Sequence, residues 1–253
     1  MSNSALVSYT KISPNRNSPR NHAIDRISIH CVVGQCTVER IGEIFAPESR
    51  EASSNYGIGL DGRIGMYVEE KDRSWCTSSG ANDHRAVTIE VASDTAHPYA
   101  VKAAAFSALL DLCTDICKRN GKKRLLWFGD KEKTLAYTPK ADEMVLTVHR
   151  WFANKACPGE YLYSRHGEIA AEVTKRLAAA DKPAEPTAPA GTGDNPSAWA
   201  KTATEYCKRK GIFAGDGAGN FDWQKPITRE QVAAVLYRTL ERAGLLETIP
   251  DKK

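Results

Sequence analysis

Three side chains stand out as metal donors: His30 in the apolar run ISIHCVV, and His149 and Cys157 in VHRWFANKACPG. Two imidazoles and one thiolate match a catalytic zinc, which takes three protein ligands and keeps a fourth position open for water. Taken singly, a strand histidine or a buried cysteine is ordinary. The grouping of His149, Lys155 and Cys157, with Pro158-Gly159 turning the chain straight afterwards, makes the set more specific. The chain holds 7 cysteines, an odd number that argues against a disulfide framework. Cys113 and Cys117, four apart in a helical pattern, share a face and read as small core or surface thiols.

These donors need elements to position them. Residues 27–33 (ISIHCVV) and 86–92 (AVTIEVA) read as buried strands. Residues 56–68 (YGIGLDGRIGMYV) read as two short strands around Asp61-Gly62, a tight-turn pair. Residues 98–118 have helical spacing, with Pro98 near the start and Asn120-Gly121 beyond the end. A helical stretch follows over about 159–180, and 145–152 fits either a strand or a helix end. The expected fold is α/β (α+β), a central mixed β-sheet flanked by helices.

The pieces SIHCVV, SSNYGIGLDGRIGMYVEE, AVTIEVA and HRWFANKACPG resemble, in order, the zinc-dependent N-acetylmuramoyl-L-alanine amidases of type 2. That family shares its fold with peptidoglycan recognition proteins, and the resemblance spans about residues 25–175. The resemblance implies that His30, His149 and Cys157 hold Zn²⁺. It makes Tyr56 the active-site tyrosine, Lys155 the donor two places before the cysteine, and Glu90 the glutamate many members use as general base. A water bound to zinc has its pKa lowered from about 15.7 toward roughly 7. Glu90 would take its proton and pass it to the leaving amine, with Lys155 and Tyr56 steadying the oxyanion. Whether Glu90 or Tyr56 is the base stays open. The implied substrate is peptidoglycan, cut at the amide between muramic acid and the L-alanine of the stem peptide. Many members carry a Trp-His pair after the hairpin; here the segment is Ser74-Trp75-Cys76-Thr77, in which Trp75 is expected to line the substrate groove. His84, His97 and His166 are expected in surface or cap roles, and His22 in none.

Residues 178–197 (AAADKPAEPTAPAGTGDNPS) have no apolar periodicity and read as an extended linker. The expected division is a catalytic domain over 1–180, a Pro/Ala-rich linker over 181–196 and a small all-α module over 197–245. In that module two amphipathic helices flank a Gly-rich loop, and Thr228 stands three residues before Gln231 as in a capping box. The segments Gly211–Gly215, Phe221–Pro226 and Ile227–Glu230 resemble one S-layer homology repeat. That resemblance implies that Thr228, Arg229 and Glu230 form a binding motif for secondary cell-wall polysaccharide, with Arg229 meeting the anionic ligand. Such repeats usually come in threes, and about 50 residues bury little core alone. The module is therefore expected to join copies on other chains or pack on the catalytic domain. Gly215-Asp216-Gly217 with Asn220 and Asp222 lacks the closing glutamate of a calcium loop and reads as a turn.

The charge balance is mild, 35 Lys+Arg against 31 Asp+Glu for a net +4. Residues 195–253 hold 10 and 7 of these, leaving 25 and 24 before them. Neither part has the positive field of a nucleic-acid binder. The most apolar stretch, 103–112, is far short of the roughly 20 residues of a membrane span. The polar first 20 residues do not resemble a signal peptide. The expectation is synthesis in the cytoplasm and action on the cell wall after release, as for a phage or prophage endolysin. The alternatives are a cytoplasmic muropeptide-recycling amidase, a non-catalytic peptidoglycan-binding protein, and a wall-anchoring protein whose main work lies in the last module.

Overall fold

From Arg26 to Cys31, and again from Ala86 to Val91, apolar and polar side chains alternate. In a strand these fall on opposite faces. Ile27, Ile29, Cys31, Val87, Ile89 and Val91 enter the main core, which leaves Ser28, His30, Thr88 and Glu90 together on the other face.

The computed structural model describes residues 2–181, 195–216, 218–225 and 227–246. The chain divides into two units, residues 1–182 and 183–253. The first unit runs β1 (Val7–Thr10), β2 (Arg16–Asn17), β3 (Arg26–Cys31), α1 (Val38–Phe45), β4 (Tyr56–Ile58), β5 (Ile64–Met66), β6 (Arg73–Ser74) and α2 (Gly80–Asp83). It continues with β7 (Ala86–Val91), α3 (Ala103–Arg119), β8 (Arg124–Leu126), α4 (Lys131–Ala136), β9 (Glu143–Thr147), α5 (Gly159–Tyr163) and α6 (His166–Asp181).

Seven strands form one mixed sheet in the order β1-β5-β4-β7-β3-β9-β8. Strands β4, β7, β3, β9 and β8 are parallel, and β5 runs against β4. On the core face, Leu109, Leu112, Cys113 and Ile116 of α3 and Ile169, Val173 and Leu177 of α6 bury against the sheet. Ile41 and Phe45 of α1 make a separate cluster with Tyr67. This is the expected α+β architecture. The expected hairpin is β4–β5, paired antiparallel. Its turn needs Gly62 at φ +86°, where a Cβ would stand 2.9 Å from the Ala104 carbonyl oxygen.

Several boundaries differ from the pattern reading. α3 begins at Ala103 rather than near Pro98, because residues 96–99 are spent on a turn closed by the Tyr99 amide on the Ala96 carbonyl (2.7 Å). Residues 145–152 divide into the end of β9 and a 3₁₀ turn, His149–Trp151. The single helix expected over 159–180 is two helices, broken before His166. There the imidazole Nδ1–H of His166 donates to the Leu162 carbonyl (2.7 Å), the acceptor that a continuous helix would offer its own amide.

His166 is not a surface residue: it is fully buried, 4.6 Å from the Trp127 ring. Burial lowers its pKa to about 4. Its folded-state pKa lies below the unfolded value, so the unfolded chain takes the proton first as pH falls. Stability owed to neutral His166 is complete above about pH 6.5 and is lost between there and about pH 4, to the extent of about 3 kcal/mol. The unfolding midpoint of this unit should fall through that window, and His166→Gln should flatten the fall. An unchanged profile in the variant would contradict this assignment.

In the second unit, a 3₁₀ turn (Ala198–Ala200) leads into α7 (Lys201–Arg209), and α8 (Arg229–Arg242) follows the loop. The expected capping box is present: Gln231 N–H donates to Thr228 Oγ1 (3.2 Å) and Thr228 N–H to Gln231 Oε1 (2.8 Å). Asp216 closes the Gly-rich loop by accepting from Ala218 N (2.8 Å), Asn220 N (3.0 Å) and Asn220 Nδ2 (2.8 Å), the hydrogen bonding of a turn. No described residue of this unit is buried, and Trp199 is 87% exposed. Most of the expected linker lies outside the described residues, as do Gly217 and Pro226. Among the described residues, no helix is long and apolar enough to cross a membrane.

Candidate metal centre

Strand register brings the central side chains together. His30 and Glu90 are direct partners on the adjacent parallel strands β3 and β7, with side chains on the same face. β9 delivers the chain to the 3₁₀ turn that carries His149. That turn is anchored by Trp151, stacked on Trp127 at 5.1 Å and 4°. The loop after it returns Cys157, and Gly159 at φ +80° starts α5. A Cβ on Gly159 would stand 2.7 Å from Tyr99 Cβ, so the return loop tolerates no side chain there.

Donor atoms of His30, His149 and Cys157 lie within 4.8 Å of one another. Cys157 Sγ is 3.3 Å from His30 Nδ1. Ligands 2.0–2.3 Å from a tetrahedral zinc stand roughly 3.3–3.8 Å apart, so this pair fits one ion. Burial, then the charges of His149 and His166, hold the His30 pKa well below its usual value. Burial and the Lys155 charge lower that of His149. Both imidazoles are thus neutral, the form that ligates metal. The Cys157 thiol is pushed well up by its hydrogen bond with Cys31 and by burial, so ion binding would displace its proton.

Two residues that sequence reasoning missed hold the histidines. Ser28 Oγ donates to the Thr147 carbonyl (3.3 Å) and lies 3.2 Å from His30 Nε2. With its one hydrogen used, Ser28 accepts from Nε2–H and leaves Nδ1 bare toward Cys157. Its position two residues before His30, on the same strand face, is the signal that could have found it. Ser78 Oγ lies 3.0 Å from His149 Nε2. Ser78 has φ +60°, a local geometry with no mark in the residue pattern. Ser28→Ala should weaken zinc affinity by about 10–100-fold, measured by competition with a chromogenic chelator. An unchanged affinity would show that Ser28 does not orient the ligand.

Glu90 faces the same donors. Burial, then the neighbouring Cys31, pushes its carboxyl up to about 8, and its Oε2 is a buried oxygen without a hydrogen-bond partner. Lys155 is exposed on the loop between His149 and Cys157, its charge felt at His149. Trp75 is half-buried, with its indole N–H donating to Asn17 Oδ1 (2.7 Å). Thr228, Arg229 and Glu230 are exposed at the start of α8 in the second unit.

Tyr56 requires a correction. It pairs with Ile89, not Glu90, so its side chain leaves the sheet on the core face. It is fully buried. Its hydroxyl donates to Glu70 Oε1 (2.7 Å) and accepts from the Ser4 amide (2.9 Å), and Glu70 is ion-paired with Arg119 (2.6 Å). Tyr56 ties the N-terminal segment to the core and is neither base nor oxyanion donor.

Residues 10–160 match the N-acetylmuramoyl-L-alanine amidase family, and residues 194–233 match the S-layer homology domain. The chain belongs to that amidase family and carries an S-layer homology domain after it. Among solved structures it is similar to the endolysin N-acetylmuramoyl-L-alanine amidase LysCS of Clostridium intestinale (19% identity, TM-score 0.45, 66% of this chain and 92% of that one). It is also similar to the endolysin of a Thermus scotoductus bacteriophage (15%, 0.40, 62% and 89%) and to Drosophila peptidoglycan recognition protein SA (16%, 0.43, 60% and 81%). No curated protein sequence matches the chain.

Proposed function

We propose that the first unit hydrolyses the amide between N-acetylmuramic acid and the L-alanine of the stem peptide, with Zn²⁺ held by His30, His149 and Cys157. The observation that carries this reading is the convergence of those three donors beside Glu90, in a chain of the amidase family. Bound zinc would polarise the amide carbonyl and make water a competent nucleophile near neutral pH. Glu90 accepts the proton of the attacking water and delivers it to the departing amine nitrogen. Lys155, exposed on the loop between the two ligands with its charge felt at His149, would offer its ammonium group to the oxygen that gains charge, a contribution of about 3 kcal/mol for one donor. Trp75 offers an aromatic wall to the glycan.

The second unit is proposed to hold the enzyme on the wall, with exposed Arg229 meeting an anionic polysaccharide. The pairing of a wall-binding domain with an amidase favours an endolysin acting on intact wall over a muropeptide-recycling enzyme, which has no evident use for the anchor. Exposed Trp199, Leu236 and Tyr237, in a unit none of whose described residues is buried, support association with further copies through that unit. The test is mass spectrometry of digested peptidoglycan. Free stem peptides beginning at L-alanine are expected, absent after chelation and restored by zinc. Wall binding without released peptide would overturn the enzymatic reading.

A further inference from the structure

The metal face holds a second donor set, in which His30 and Glu90 recur beside Cys76, a thiol that the mechanism above does not use. Donor atoms of His30, Cys76 and Glu90 also lie within 4.8 Å of one another. Cys76 Sγ is 3.9 Å from Glu90 Oε1, and Glu90 Oε2 has no hydrogen-bond partner. The Cys76 backbone is held in place: its amide donates to Asp83 Oδ2 (3.0 Å), while the Thr77 hydroxyl donates to Asp83 Oδ1 (2.6 Å). A thiol and a carboxyl group beside a neutral imidazole thus converge from three separate elements.

We infer that Cys76, Glu90 and His30 form a second site for a thiophilic divalent cation, overlapping the first at His30. The mixed nitrogen, sulfur and oxygen set suits Zn²⁺, Co²⁺ or Cd²⁺ and not Mg²⁺ or Ca²⁺, which take oxygen donors. Ligands of one tetrahedral ion stand roughly 3.3–3.8 Å apart, so small side-chain rotations close this set. Ser28 engages His30 Nε2, leaving Nδ1 as the one ring nitrogen for either ion. The two positions therefore exclude each other. An ion in the second has Glu90 as ligand, so the carboxylate is no longer free to accept a proton and that form is inactive. The inference rests on the zinc reading only in sharing His30.

Cobalt distinguishes the two, because thiolate coordination gives a near-ultraviolet charge-transfer band independent of turnover. Co²⁺ is titrated into wild type, Cys157→Ser, Cys76→Ser and the double variant, with circular dichroism to confirm that each is folded. Wild type should show the band, and its absence there would overturn the zinc reading itself. Cys157→Ser should keep a thiolate band at weaker affinity, and the double variant should lose it. Adding Glu90→Gln to Cys157→Ser should weaken cobalt binding at least about tenfold. Cys76→Ser should keep the wild-type band. No band in folded Cys157→Ser would overturn the second site while leaving the first intact, and a band surviving in the folded double variant would trace it to another thiol and overturn both assignments. A cadmium-induced rise in unfolding temperature, present in Cys157→Ser and absent from the double variant, gives the same discrimination without spectroscopy.

Discussion

Cys157→Ser should reduce the release of stem peptides from peptidoglycan by about 10³-fold or more. The thiol is 3.3 Å from His30 Nδ1 and shares a donor set with His149. Serine keeps the shape but is a poor metal ligand at neutral pH. Charge stabilisation by a metal ion is worth several kcal/mol, and each 1.36 kcal/mol corresponds to a factor of ten in rate. An ion kept at the alternative position beside Cys76 would not rescue turnover, since Glu90 would then be its ligand. Far-ultraviolet circular dichroism should be unchanged, because the fold rests on the cluster around α3 and α6. Activity within tenfold of wild type would remove Cys157 from the site.

Glu90→Gln is expected to lower kcat by about 10²–10⁴-fold, the usual range for a general base, with KM changed by no more than a few-fold. Glutamine fills the same space on β7 opposite His30 but cannot take a proton from water. Zinc content, read by elemental analysis, should stay near wild type, since the primary donor set does not include Glu90. That combination separates loss of the base from loss of the metal. A small loss of kcat would indicate that another group performs the transfer, and the placement of Tyr56 in the core excludes it as that group.

Much of this site was legible in the residue pattern for a definite reason. The alternation through ISIHC and AVTIEV fixes a core face and a polar face before any neighbour is known, and His30 and Glu90 both fall on the polar one. Asp61-Gly62 and the Thr228/Gln231 pair specify a turn and a helix start by local chemistry alone. Tyr56 shows where such reading stops. On a two-residue period, the face a strand residue takes depends on register, and the parallel pairing of β4 with β7 puts Gly57, not Tyr56, beside Glu90. Ser28 and Ser78 gain meaning only once their histidine partners are in place. Cys76 reads as a departure from the family pattern, and only the fold brings it to Glu90. The break before His166 arises from competition between a side chain and an amide for one carbonyl, which helical periodicity does not register.

Digestion of peptidoglycan in ¹⁸O-water tests directly whether this site cleaves the lactyl amide with water. Attack at the amide carbonyl places ¹⁸O in the lactyl carboxylate of the muramic acid and none in the released peptide, whose new terminus is the L-alanine amine. Label is expected on the glycan fragment at that carboxylate, lost together with product in Cys157→Ser. Label in a peptide carboxyl group, with none at the lactyl carboxylate, would mean that a different bond is cut, and would contradict lactyl-amide cleavage.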